Sequence, residues 1–353
     1  MINYFKESLK AHKEKRKIEI KSKFKIENKD DLSIAYTPIA EVSKQIYKNK
    51  NLAKDLTLKN TVAVISDGSA VLLNIPEGAL PVMEKAILFK EFVDAFPIVL
   101  NTQNEEEIIQ IIKNISPTFG INLEDISAPR CFNIEERLKK ELDIPVFHDD
   151  QHGTAIVVLA GLINALKVTK KKEKIKIVVN LAATAIIKLL KLVEDIIACD
   201  SKIISKKRTD LNESKKNILK ITNKDNVSNL KEAMRSDVFI VSINVVNADM
   251  IKSMNKDPII FAMANPIPEI MPDEAKKAAK IIATRSDFPN QLNNVLVFPI
   301  FKALKNNIKI ITDNMKIKAA QNIANHIKNP TPENIIPSPL DKQIVDKVAK
   351  AIK

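Results

Sequence analysis

The chain has 353 residues, enough for two domains, and a formal net charge of +13 from 56 basic and 43 acidic side chains. Only six of the basic residues are arginine and aromatic side chains make up 5%, poor material for bidentate phosphate recognition or base stacking, so nucleic acid is not expected as a partner. No unbroken apolar run of about 18 residues marks a membrane span, and Cys131 and Cys199 are too few and too far apart for a disulfide framework or a CxxC metal site; a reducing, cytoplasmic setting without a membrane partner is expected.

In chain order, the opening MINYFKESLKAHKEKRK is basic and amphipathic and lacks the apolar core of a signal peptide. Strand-like runs (TVAVIS, AFPIVL, IKIVVN, DVFIVSI, PIIFAMA) then alternate with helix-like stretches (EEEIIQIIKNI, TAIVVLAGLINALKV, DEAKKAAKII). This alternation predicts an α/β fold in both halves, with parallel sheets covered by helices. The lysine-rich runs TKKKEKIK and SKKRTD read as solvated helix ends and loops.

Two acid pairs interrupt the pattern. In INLEDISAPRCF, Glu124 and Asp125 are adjacent and cannot share a face of a regular helix or strand, which suits a strand end or loop wrapped around an ion. In PVFHDDQHGTAIV, Asp149 and Asp150 stand with two histidines ahead of an apolar helix. Either pair taken singly is a helix cap or a solvated acidic loop. Together they offer the oxygen ligands that Mg²⁺ or Mn²⁺ prefer.

Glycine is the compositional anomaly: five are present where ordinary usage gives roughly 25. The strand-like run Lys174 to Asn180 is followed by LAATAIIKLLKL instead of G-x-G-x-x-G. In that fingerprint one glycine permits the tight turn, one lets a pyrophosphate reach the backbone and one lets helix and strand pack closely. The pyrophosphate of a dinucleotide is therefore expected at Asn180, Ala182 and Ala183, on a crowded turn. Asp200, ending IIACD, is placed to accept from a ribose hydroxyl and favours NAD over NADP.

The blocks LSIAYTP, AVISDGSAVL, ALPVMEKAILFKEF, DAFPIVL, PTFGINLEDISAPRCF, PVFHDDQHGTAIV, PIIFAMANPIPEIMPDEA, RSDFPNQLNNVLVFP and IIPSPLDKQIV together resemble the bacterial-type malic enzymes, in that family's order and over nearly the whole chain. The resemblance implies an N-terminal malate-binding α/β domain over 1–153. It implies a Rossmann-like doubly wound domain over 154–353, with helices from about Asp313 packing back across both. It further implies metal-dependent oxidative decarboxylation of malate to pyruvate and CO₂, NAD as acceptor with NADP as the alternative, and a homodimer.

Residue by residue, the resemblance implies a cation held by Glu124, Asp125 and Asp150, with Asp149 beside it. Lys85 stands at the position of the base and Tyr36 at that of the acid. Asn265 and Asn294 match the amides that hold the substrate carboxylates. Where the family writes YTPG, MEGKA and FPGIF, this chain reads YTPIA, MEKA and FPIF. Decay of an enzyme would give that pattern, as would a glycine codon left untranslated. The retained glycines sit in blocks that lost others, which favours codon-dependent omission. Two further readings stand beside the first: an oxaloacetate decarboxylase without hydride transfer, which needs nothing from the damaged turn, and a non-catalytic binding or scaffold protein.

Overall fold

A computed structural model describes residues 6–7, 10–11, 25–70, 80–172, 175–180, 184–191, 197–199, 234–242, 246–286 and 288–352. The chain divides into two compact units, residues 1–147 with 301–310, and residues 148–300 with 311–353. A boundary is expected after residue 153; the units divide after Phe147, and the first also takes back a later segment. The C-terminal helices, expected to pack across both domains, belong to the second unit.

The first unit begins with helices α1 (Lys29–Tyr36) and α2 (Ile39–Lys48), neither of which buries a residue. Asn28 caps α1 by accepting the Asp30 and Asp31 N–H groups. Next come β1 (Val62–Ser66), α3 (Leu80–Lys90), β2 (Ala95–Val99), α4 (Glu105–Ile115), β3 (Gly120–Leu123), α5 (Arg130–Glu141) and β4 (Val146–His148). The four strands lie in the order β2-β1-β3-β4. β1 runs parallel to both β2 and β3, with Val62 opposite Ala95 on one side and Gly120 on the other.

A strand covered on both faces has no polar side to offer, which is why VAVIS carries no alternation and is buried throughout. Helix α4 shows the opposite pattern: Ile108, Ile109 and Ile112 enter the core while Glu105 to Glu107 fill its exposed first turn behind the Asn104 cap. Gly120 is required by packing, since a β-carbon there would meet the Leu304 methyls at 2.7 Å.

The second unit starts at a single π-helical turn, Asp149–Gly153, leading into α6 (Thr154–Thr169). β5 (Lys176–Asn180), α7 (Thr184–Lys191), β6 (Ile197–Cys199), β7 (Val238–Val241), α8 (Ala248–Lys252), β8 (Ile259–Ala262) and β9 (Ile281–Thr284) follow. All adjacent strands are parallel, in the order β6-β5-β7-β8-β9. Helices α9 (Asp313–Ala324) and α10 (Ile344–Ala349) complete the unit.

Helix α6 with its preceding turn spans Asp149–Thr169, long and apolar enough to cross a membrane at a mean hydropathy of 1.4, yet 61% of that stretch is buried inside the protein. Burial in a core explains the composition: a helix packed on several sides reads apolar all round. Asp237 joins strand starts, accepting from Lys171 Nζ at 2.7 Å and from the Lys176 N–H at 3.0 Å. Burial pushes its carboxyl up, but these donors outweigh burial and hold it below the ordinary aspartate range.

Candidate functional site

In each sheet the strand order reverses next to the first strand of the unit, β1 in one and β5 in the other. The carboxyl ends of strands flanking such a reversal form the crevice in which open α/β sheets bind ligands. In the first unit those ends lead directly into Asp67 after β1 and Glu124 after β3.

Glu124 is held as if it extended β3, its N–H donating to the Ile65 carbonyl at 2.8 Å. Glu124 is 2% exposed, and its Oε1 lies 3.0 Å from the Nζ of Lys85 on α3, a side chain that is 12% exposed. A carboxylate buried at a strand end offers the oxygen ligands that suit a hard cation. The chain then turns at Asp125, whose φ of 46° lies in the left-handed region that aspartate tolerates better than most residues. Tyr36, at the end of α1, is 76% exposed.

In the second unit the π-helical turn carries Asp149 and Asp150, and single π turns are frequent at functional sites. Asp149 is fully buried and accepts from Asn294 Nδ2 at 2.7 Å. The Asn294 amide, read from sequence as a substrate contact, thus already donates to Asp149, the acid next to Asp150. Gly153 makes this approach feasible: a β-carbon there would sit 3.1 Å from Asn294 Cβ and 3.5 Å from Asp149 Cβ. Asp150 is only partly buried and pairs with Arg285 Nη2 at 3.6 Å. His152 Nδ1 lies 3.2 Å from Lys316 Nζ, which also pairs with Asp313.

Asn265 is exposed on the loop after β8. Its neighbours hold that loop: Ser286 Oγ lies within hydrogen-bond reach of the Ala264 and Pro266 carbonyls, and Glu269 Oε2 accepts the Ala264 N–H at 3.1 Å. Burial raises the Glu269 carboxyl above the ordinary glutamate range, against the backbone donors that pull it down.

Asn180 ends β5 at the strand-order reversal of the second sheet. Ala182, Ala183 and Asp200, expected to contact the dinucleotide, lie outside the described residues.

Sequence reasoning passed over Arg285, Glu269, Asp67 and Arg130. The signal for the arginines was their rarity in a lysine-rich chain. For Glu269 there was none, because its burial depends on how the loop folds back.

Two parallel sheets, each with a strand-order reversal, define a two-domain, Rossmann-like α/β protein. No family model matches the chain. It is 51% identical over 374 aligned positions to the bifunctional malic/malolactic enzyme of Bacillus subtilis, covering 98% of this chain and 91% of that protein. It is 50% identical over 361 positions to the NAD-dependent malic enzyme of Geobacillus stearothermophilus, covering 95% and 76%. Among solved structures, the NAD-dependent malic enzyme of Thermotoga maritima matches with a TM-score of 0.89 at 42% identity, covering 100% of this chain and 99% of that one. The malic enzyme of Pyrococcus horikoshii matches at 0.82 and 41%, covering 95% and 85%. The chain belongs to the malic enzyme family. An alignment of 374 positions is longer than the chain's 353 residues, so the Bacillus relative holds residues without counterparts here.

Proposed function

We propose that this chain catalyses the oxidative decarboxylation of malate to pyruvate and CO₂ with reduction of NAD, with NADP as the alternative acceptor. The observation that carries the reading is the Lys85–Glu124 pair at the strand-order reversal of the first sheet. Residues 1–153 serve malate and 154–353 serve the dinucleotide in this reading.

Glu124, Asp125 and Asp150 would hold a Mg²⁺ or Mn²⁺ ion, and their all-oxygen donor set suits it. When bound, the ion supplies positive charge to the oxygen on which electrons collect as CO₂ leaves. Lys85 takes the hydroxyl proton of malate, and bound NAD would supply the acceptor for the hydride that leaves the carbon bearing that hydroxyl. The step needs a base within reach of the hydroxyl, and Lys85 Nζ stands 3.0 Å from Glu124 Oε1. Tyr36 returns a proton to the carbon that has lost CO₂, and Asn265 and Asn294 orient the substrate carboxylates with uncharged donors.

A homodimer accompanies this reading. Ile34, Tyr36, Ile39 and Tyr47 are 61%, 76%, 63% and 84% exposed on α1 and α2, and an exposed apolar face of this kind suits a second copy of the chain. Sedimentation of the full chain tests it, with a monomer counting against it.

The activity test follows NADH absorbance on adding malate, Mn²⁺ and NAD to the purified chain, with pyruvate measured alongside. NADH and pyruvate in equal amounts support the proposal. Decarboxylation of oxaloacetate without NADH formation from malate would instead favour the decarboxylase reading, and neither activity would favour a scaffold.

A further inference from the structure

We propose that Asp67 and Arg130, acting through Ser69, are positioning residues that hold the Glu124–Asp125 carboxylates in a ligand geometry; this rests on reading those two acids as cation ligands. Asp67 leaves the carboxyl end of β1 and its side chain is fully buried, whereas Arg130 starts α5 and is one-fifth exposed. Arg130 Nη2 donates to Asp67 Oδ2 at 2.6 Å and to Ser69 Oγ at 2.8 Å, and Nη1 donates to the Gln103 carbonyl. Asp67 Oδ1 accepts from both the N–H and the hydroxyl of Ser69, at 3.0 and 2.6 Å.

The network converges on the segment that carries the two acids. Ser69 Oγ accepts the Ser127 N–H at 2.8 Å, and the Ala70 N–H donates to the Asp125 carbonyl at 2.9 Å. Asp125 therefore sits between β3, which fixes Glu124, and two hydrogen bonds from the β1 turn. Its left-handed backbone is retained only if its neighbours over-determine it. Gly68, with φ of 69°, lets the β1 turn bend tightly enough to present both Ser69 and Ala70.

A buried ion pair is a poor source of stability compared with apolar packing, so its use here points to geometry as its purpose. Groups that orient metal ligands without touching the metal typically change metal affinity by about 10–100-fold when removed.

The test titrates Mn²⁺ alone into the full chain and into Arg130→Gln, Asp67→Asn and Ser69→Ala, following free Mn²⁺ by electron paramagnetic resonance. Glu124→Gln is the ligand control, and thermal unfolding without metal is recorded for each. The expected result is Mn²⁺ binding at least about tenfold weaker in Arg130→Gln and Asp67→Asn, with a smaller loss in Ser69→Ala. In turnover, the Mn²⁺ requirement rises while kcat at saturating Mn²⁺ stays near wild type, a split that mere loss of folded protein would not produce. Ser69→Ala, which keeps the ion pair, serves if the charge variants do not fold. Wild-type Mn²⁺ affinity in all three positioning variants, with weakened binding in Glu124→Gln, overturns the proposal. Unchanged binding in Glu124→Gln overturns the ligand assignment itself and the proposal with it.

Discussion

Asn164 offers a sharp test of how the second unit is held together. Its side chain is fully buried on α6, and Nδ2 donates to the Ala324 carbonyl at 2.8 Å and to the Ile335 carbonyl at 2.9 Å. Ala324 is the last residue of α9, where carbonyls have no partner within the helix. Asn164→Leu keeps nearly the same shape but leaves both carbonyls without this donor, at about 1–3 kcal/mol each. Burying leucine returns about 1.5–3 kcal/mol. The net loss is about 2 kcal/mol, which for a cooperative unit of about 200 residues lowers Tm by roughly 4–8 °C. Differential scanning calorimetry of the two proteins is the assay. Asn290 reaches the same C-terminal segment, donating to the Pro332 carbonyl at 2.8 Å and accepting the Ile335 N–H at 2.8 Å. The double variant with Asn290→Ala should therefore lose less than the sum of the single losses. A Tm shift below about 2 °C in Asn164→Leu, or strict additivity, would refute the reasoning.

Glu269→Gln tests the partly buried carboxyl beside the Asn265 loop. Its folded-state proton affinity is raised above the ordinary value, so the folded protein binds the extra proton and stability falls as pH rises from the ordinary glutamate range through the raised value. The glutamine variant lacks that slope and its Tm should gain on wild type across that rise; parallel Tm curves against pH would contradict this. Lys85→Ala should abolish malate oxidation with a fall in kcat of about 100-fold or more while malate binding remains measurable, and a variant that only raises KM would move Lys85 to a binding role. Asp150→Asn should lose both malate oxidation and oxaloacetate decarboxylation at limiting Mn²⁺, whereas equal activity of the two proteins would remove Asp150 from the ligand set. Writing G-x-G-x-x-G into the turn after Asn180 should strengthen NAD binding at least about tenfold, or roughly 1.4 kcal/mol, with little change in Mn²⁺ affinity; equal calorimetric affinities would show that the missing glycines carry no penalty.

The elements themselves were legible because their causes are local. VAVIS and IIFA are unbroken apolar runs that become strands buried in every residue, and EEEIIQIIKNI carries its cap, its acidic first turn and its apolar face in a dozen residues. Glu124 and Asp125 stood out only beside the second pair, Asp149 and Asp150, because either pair alone also reads as a cap or a solvated loop. The sequence also set the chemistry available at Lys85, Asp149 and Asp150, because residue type fixes which protons and lone pairs a position offers. What each side chain does with them was decided by tertiary structure. Asn294 meets Asp149 across 145 positions of chain, Arg130 meets Asp67 across 63, and Lys85 meets Glu124 only because α3 and β3 pack in one unit. Burial of Glu269 arises in the same way. Such encounters depend on strand order and loop closure, and these are set by how apolar faces share one core, a property of the whole chain that no local pattern records.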